Sequence, residues 1–306
     1  MTSLIFNDWQ AKDSRLWDKQ PLRLKHSLHQ SSLFSLENLA QLIDDYPREH
    51  YSLMRVGARS ADKLWMESTR ERLRGADIIE EIRQGRFWLN LRRTNDVDGR
   101  YAAVLDQMFS EIGSHVTDQD GFPSRSMGIL VSSPTAQVYY HADLPNQSLW
   151  QISGRKRVYV YPSADPFITG EDLERIGIYE VEVDMPYSGW YDEYATVFDL
   201  SPGEMLHWPL NSPHRVENLG ELNVSITTEY WSKACSRKYR LNMANGALRH
   251  IFGMKPRETQ PAGPSFIAKS FVWSAVYRTG WLEKVRAERA AALQNQNQMA
   301  SKPALK

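Results

Sequence analysis

Between residues 121 and 231 apolar and polar positions alternate in short runs, broken by Pro, Gly, Asn and Ser. A period of two marks strands with one buried face. The spacing predicts strands over 126–132, 136–142, 148–152, 155–161, 195–199, 203–208, 214–218 and 222–231. Eight such strands suit a jelly roll. The stretch 163–194 interrupts them as an insertion, with a short helix over Glu171–Ile176 and an aromatic loop of Tyr187, Trp190, Tyr191 and Tyr194. That loop suits either a substrate lid or an apolar plug.

Outside this stretch the apolar period lengthens. Leu16, Trp17, Leu22 and Leu24 suggest a short strand or extended arm. Ser35 caps a predicted helix through Leu36, Leu39, Leu42 and Ile43, which Pro47 ends. A strand over Tyr51–Val56, a helix over Ala76–Gln84 stopped by Gly85, a strand over Arg86–Arg92 and a helix over Arg100–Ile112 follow. After Trp231 the pattern gives a helix over Ser236–Phe252 and one or two more over Ser265–Leu293. Phe266, Phe271, Val272, Trp273, Val276, Tyr277 and Trp281 make their surface broadly apolar, fit to cover the barrel or to form a homodimer. Residues 294–306 are polar and expected to fray. The expected fold is mainly β with α: N-terminal α+β elements over 1–120, a β barrel over 121–232, and a helical region over 233–306.

Composition narrows the class only slightly. The 42% hydrophobic content supports a sizeable core, and 37 basic residues cancel 37 acidic ones, so nothing favours nucleic acid or an anionic membrane. The single cysteine, Cys235, excludes an intrachain disulfide and a cysteine-based zinc cluster. The first residues lack a basic segment and a long apolar run, and no window reaches a membrane-span length, so a cytoplasmic protein is expected.

The candidate chemistry begins at Tyr140-His141-Ala142-Asp143. On a strand, residues two apart share a face, so His141 and Asp143 are placed to share one metal ion. A further histidine would complete the two-histidine, one-carboxylate triad that holds non-haem Fe(II) with coordination positions open. His207 and His214 both qualify. Tyr139, beside the ligand strand, is expected to neighbour the lumen. After the Ser153-Gly154 turn, Lys156 aligns with Val158 and Val160 on one face. Unless the lysine snorkels out to solvent at the strand end, an ammonium buried among valines needs an anion, and a carboxylate of a substrate or cosubstrate would supply it.

The combination of H-x-D, Gln151, Gly154, Lys156-Arg157, Gly203-Glu204, Pro209, His214 and a strand running to Trp231 resembles the JmjC-type Fe(II)/2-oxoglutarate oxygenases. The hydroxylases similar to factor-inhibiting HIF, the asparaginyl hydroxylase, look nearest. The resemblance covers roughly residues 120–232. It implies a double-stranded β-helix (jelly-roll, cupin-like) with iron on His141, Asp143 and His214, and so selects His214 over His207. It implies 2-oxoglutarate with its distal carboxylate on Lys156, and hydroxylation, or demethylation through hydroxylation, of a protein side chain or a small molecule. Relatives that halogenate lack the carboxylate that Asp143 supplies here.

The chain departs from the pattern at three places. Val138 stands where the asparaginyl hydroxylase has threonine. Gln147, not Asn146, matches the position of an asparagine that lies near the cosubstrate. Glu229 ends the polar face of Asn223, Ser225 and Thr227, where the asparaginyl hydroxylase has asparagine. These departures keep open a non-catalytic cupin-like module that binds a metal or ligand. A zinc-type cupin isomerase fits less well, because such sites take more histidines and a glutamate.

Overall fold

In the computed structural model the chain is described over residues 4–56, 65–67, 73–116, 121–180, 185–257 and 260–300. The first part holds α1 (Ala11–Leu16), β1 (Leu22–Lys25), α2 (Leu36–Asp44), β2 (Tyr51–Val56), β3 (Trp65–Glu67), α3 (Gly75–Gln84), β4 (Phe87–Leu91), α4 (Thr94–Val97) and α5 (Gly99–His115). The alternating stretch then forms β5 (Ser126–Ser132), β6 (Gln137–His141), β7 (Asn146–Ser153) and β8 (Lys156–Val160). Helix α6 (Gly170–Tyr179) intervenes before β9 (Thr196–Leu200), β10 (Glu204–His207), β11 (His214–Asn218) and β12 (Asn223–Tyr230). Three helices follow: α7 (Lys233–Phe252), α8 (Gly263–Tyr277) and α9 (Trp281–Ala300).

The strands pair into two antiparallel sheets, ordered β1-β10-β7-β12-β5-β4-β2-β3 and β6-β11-β8-β9. Four strands of the large sheet and the four of the small one make the jelly roll. Strand parity divides their side chains. Leu149 and Leu206 of the large sheet meet Val158, Val160, Leu200 and Val216 of the small sheet in one buried cluster between the sheets. The neighbouring residues Trp150 and Met205 point the other way, into a larger core with Met127, Ile129, Val131, Val224 and Ile226. The N-terminal segments supply Leu22, Leu24, Leu39, Tyr101 and Met108 to that core. Trp150 is fully buried and donates its indole N–H to Thr228 Oγ1 at 3.0 Å. A ring of that size removes ~200 Å² from water, about 5 kcal/mol of burial.

The N-terminal strands extend the large sheet at both edges, with β1 pairing β10 and β4 pairing β5. Gly154 turns the chain from β7 into β8 at φ +72°, and a Cβ there would sit 2.5 Å from the Leu222 carbonyl oxygen. Only glycine satisfies both demands.

By compactness the chain forms two units, Met1–Ser163 with Pro186–Ser232, and Ala164–Met185 with Lys233–Lys306. In the second unit, Ile178, Met243, Ala244, Ala247, Trp273, Val276 and Leu282 form the core. Gly177 and Gly246 let α6 and α7 approach, since a Cβ on either would fall within 2.6 Å of Met243 or 2.4 Å of Ile178.

Three local expectations differ from what is found. The arm before β1 contains α1, whose Gln10–Asp13 capping box starts a helix too short for periodicity to reveal. Gly85 does end α3, but in extended backbone at φ −104°. Its requirement is space, because a Cβ would lie 2.7 Å from the Phe87 ring. Helix α9 runs on to Ala300, past the point where fraying was expected. The last six residues of that tail, part of the insertion (181–184) and the end of the N-terminal region (117–120) lie outside the described residues.

Candidate metal centre

His141 ends β6, and His214 opens β11 directly across from it in the antiparallel register. The His214 Nε2 lies 3.3 Å from Asp143 Oδ2, and the two imidazole rings are 4.1 Å apart. One ligand atom from each of His141, Asp143 and His214 lies within 4.8 Å of the others. His141 donates its Nδ1–H to the Tyr139 carbonyl at 2.7 Å, and His214 donates its own to the Ser212 carbonyl at 3.1 Å. A carbonyl only accepts, so each Nδ1 carries the hydrogen and each Nε2 keeps its lone pair. Imidazoles that hold metals are oriented in this way. Burial, and then the neighbouring His141 ring, hold His214 well below the usual histidine pKa. It is therefore neutral, as a ligand must be. Trp208 packs on the His214 ring at 4.4 Å.

Asp143 follows the strand end rather than continuing it. Its segment is held from outside: Asn211 Nδ2 donates to the Asp143 carbonyl at 2.8 Å and to the Leu144 carbonyl at 3.4 Å. Nothing in the sequence reading singled out Asn211. The available signal was an asparagine bracketed by Pro209 and Pro213, a place where a left-handed residue is expected.

Lys156 lies at the other end of β8, paired with Asn218 and Leu200. It is 3% exposed, on the same inward face as Val158 and Val160. Burial alone lowers its pKa to about 7. Gln151 and Ser225 are buried on the facing strands and satisfy each other: Ser225 donates to Gln151 Oε1 at 2.8 Å, and Gln151 Nε2 donates to Asn223 Oδ1 at 2.7 Å. This end of the barrel thus combines a cation with a neutral, internally bonded polar wall. Gln147 pairs with Glu229 across β7 and β12, and Ser126 donates to Glu229 at 3.3 Å. Tyr139 is buried and serves His141 through its carbonyl. Val138 packs against the cluster between the sheets.

His207 is placed elsewhere. It pairs with Ser148, on the face of the large sheet that also carries Trp150 and Met205 and points away from the lumen. Trp17 stacks flat on it at 3.8 Å. Its nitrogens are engaged, Nδ1 by the Gln147 carbonyl and Ser148 hydroxyl, and Nε2 by Asp18 at 2.9 Å. Burial would raise the Asp18 carboxyl, but the bonds and charge from His207, with Tyr230 and Asn146, hold it below the ordinary carboxylate value.

The aromatic loop lies on the outer face of the small sheet. Tyr187 and Tyr191 pack on Tyr140 at 5.3 and 5.7 Å, whereas Trp190 and Tyr194 are 46% and 58% exposed. Beneath it Arg215 pairs with Asp192 at 2.6 Å and lies over the Tyr159 ring, while Tyr161 and Tyr187 donate to the same carboxylate. Arg215 is thus a sheet-packing charge, and Arg157 pairs with Asp199 at 2.6 Å on the exposed surface.

No protein-family model matches this chain, and no curated protein matches it. Solved structures do. The X-ray structure of Escherichia coli YcfD is 18% identical, with a TM-score of 0.52 over 90% of this chain and 68% of that one. YcfD is described as a ribosomal oxygenase. Its complex with cobalt and 2-oxoglutarate is 17% identical at TM-score 0.50, over 89% of this chain and 67% of that one. The complex with cobalt and succinic acid is 15% identical at TM-score 0.50, over 92% and 70%. At these identities the likeness is one of architecture, and this chain has the double-stranded β-helix fold of that ribosomal oxygenase.

Proposed function

We propose that the chain is an Fe(II)/2-oxoglutarate-dependent oxygenase that hydroxylates its substrate. The observation that carries this reading is the convergence of two imidazole lone pairs and one carboxylate where β6 ends and β11 begins. That donor set suits Fe(II) and leaves positions open. In this reading His141, Asp143 and His214 are the ligands. Their rings are oriented by the Tyr139 and Ser212 carbonyls, so little reorganisation is needed on binding.

Lys156 supplies the matching cation for the cosubstrate. It stands four positions before Val160, the strand partner of His214, which is roughly 13 Å at 3.3 Å per residue. A lysine stem and a five-carbon dicarboxylate together bridge that length. Gln147 and Tyr139 are assigned to the cosubstrate's flank. Leu149, Val158, Val216 and Val138 pack as an apolar cluster between the sheets beside it. Iron held there with 2-oxoglutarate would couple the oxidation of 2-oxoglutarate by O2, to succinate and CO2, to insertion of the second oxygen atom of O2 into a substrate C–H bond.

YcfD's description as a ribosomal oxygenase, and the sequence resemblance to asparaginyl hydroxylases, both favour a protein side chain as substrate over a small molecule. A cytoplasmic location belongs to this proposal. It is supported by a single cysteine, which leaves no intrachain disulfide to form, and no helix among the described residues is long and apolar enough to cross a membrane.

Uncoupled turnover tests the reaction without knowledge of the substrate. With Fe(II) and ascorbate, the protein is expected to release succinate from 2-oxoglutarate, and His141→Ala is expected to release none. Metal binding without any succinate would favour the non-catalytic module instead. Failure to bind either metal or 2-oxoglutarate would remove the enzyme reading. The homodimer belongs to the same proposal, supported by Ile267, Phe271 and Tyr277 of α8, which are all more than half exposed. Light scattering is expected to give twice the mass of the chain, and a monomeric mass at micromolar concentration would exclude it.

A further inference from the structure

We infer that Asn211 is a positioning residue for the metal site, holding the Asp143 carboxylate in register with the two histidines. The inference rests on the proposed metal reading. It starts from an inequality among the three ligands. His141 and His214 are fixed by direct pairing of β6 with β11, and each ring is fixed again by a carbonyl. Asp143 lies two residues beyond the end of β6, where no ladder bond of that pairing reaches it. A site of this kind tolerates errors of only about 0.5 Å in ligand position. Its place is set by what holds the segment that follows the strand.

Asn211 is placed to hold that segment. The residue is buried, and it sits in the left-handed region at φ +59°. Apart from glycine, asparagine is among the residues that enter this region most readily. The conformation alone would accept glycine, so the amide needs its own reason. Its Nδ2 donates to the carbonyls of Asp143 and Leu144. The loop carrying Asn211 is itself anchored. Ser212 N–H closes a turn on the Pro209 carbonyl at 3.0 Å, the Ser163 hydroxyl donates to the Leu210 carbonyl at 3.1 Å, and Tyr161 N–H donates to the Pro213 carbonyl at 2.9 Å. The next residue, Ser212, orients His214 through its own carbonyl. One rigid loop thus sets the tautomer of one ligand through its backbone and the position of another through a side chain. The three donor atoms gather within 4.8 Å.

The test compares the full-length protein with two variants by titration with Co(II), following heat and the visible d–d absorption. Asn211→Gly keeps the positive φ and removes the amide. Asn211→Asp keeps the shape and replaces the N–H donor with an acceptor, which cannot bond a carbonyl. Both are expected to bind Co(II) 10- to 100-fold more weakly, the usual range for an outer partner of a ligand. Their d–d bands should shift, and the metal-free protein should melt within a few degrees of wild type. Unchanged affinity and spectrum in both variants would overturn the inference while leaving the metal reading intact. A collapse of the metal-free melting temperature in both would also overturn it, since Asn211 would then be a folding residue. If wild type itself binds no Co(II), the metal reading falls and takes this inference with it.

Discussion

His214→Ala is expected to lower Fe(II) or Co(II) affinity by more than about 100-fold, beyond what loss of an outer partner produces. His207→Ala should leave that affinity within about threefold. Both histidines are buried, lie seven residues apart and flank the same loop, so the contrast is a sharp one. The reason lies in which face each presents. His214 pairs with His141 and puts Nε2 3.3 Å from the Asp143 carboxylate. Removing it leaves two donors on an ion that needs at least three from the protein. His207 faces the opposite core and has no free nitrogen to offer, because Gln147, Ser148 and Asp18 engage both of them. Its loss should appear as instability instead. The cavity under Trp17 and the broken bonds together amount to about 2–4 kcal/mol, read as a lower melting temperature. Isothermal titration and thermal melting on the same samples separate the two effects. Equal loss of metal affinity in both variants would unseat His214 as the third ligand.

That contrast also marks how far the sequence could be read. Alternation located the eight barrel strands to within two residues at each end, because each strand buries one face and the pattern is local. The choice between His207 and His214 is not local. It depends on register, on His207 lying opposite Ser148 and His214 opposite His141, and pairing partners sit 59 and 73 residues away. Parity put His141 and Asp143 on one face of a continuous strand. They do converge, but for a different reason. The pairing of β6 with β11 shifts register between His214 and Val216, so Val138 packs inward although it lies three residues from His141. A bulge of this kind re-aims side chains and leaves no mark in the alternation. The segment that carries Asp143 is then bonded through its main chain to a loop 68 residues downstream. Lys156 was legible because its two neighbours on that face, Val158 and Val160, are both apolar and stand in the same strand. The N-terminal strands were invisible as sheet extensions, since pairing β1 with β10 joins residues about 180 positions apart.

Lys156→Met is expected to retain metal binding and to lose at least about 30-fold in 2-oxoglutarate affinity, the fold-change given by ~2 kcal/mol of lost charge pairing. The ammonium stands 3% exposed among Val158 and Leu200, and the only influence on its pKa is burial, which brings it to about 7. A dicarboxylate would bind the charged form and raise that value. The sign of the pH effect follows. Below pH 7 the free protein already carries the charge, so affinity is flat. Above pH 7 the charge must be restored on binding, so affinity falls by up to tenfold per pH unit until the pKa of the complex is reached. In the methionine variant this slope should vanish. Stability of the ligand-free protein moves the opposite way. Between pH 7 and the ordinary lysine value of about 10.4 the unfolded chain binds more protons than the folded one, so wild type gains stability as pH rises. The variant lacks this gain and should melt higher than wild type at pH 6, where burying the charge is most unfavourable. Titrations with 2-oxoglutarate from pH 6 to 9 in the presence of Co(II), with melting curves over the same range, read both slopes. A 2-oxoglutarate affinity that is the same in wild type and variant at every pH would remove Lys156 from the site. An affinity loss that does not change with pH would keep the lysine there and deny that its charge is what binds.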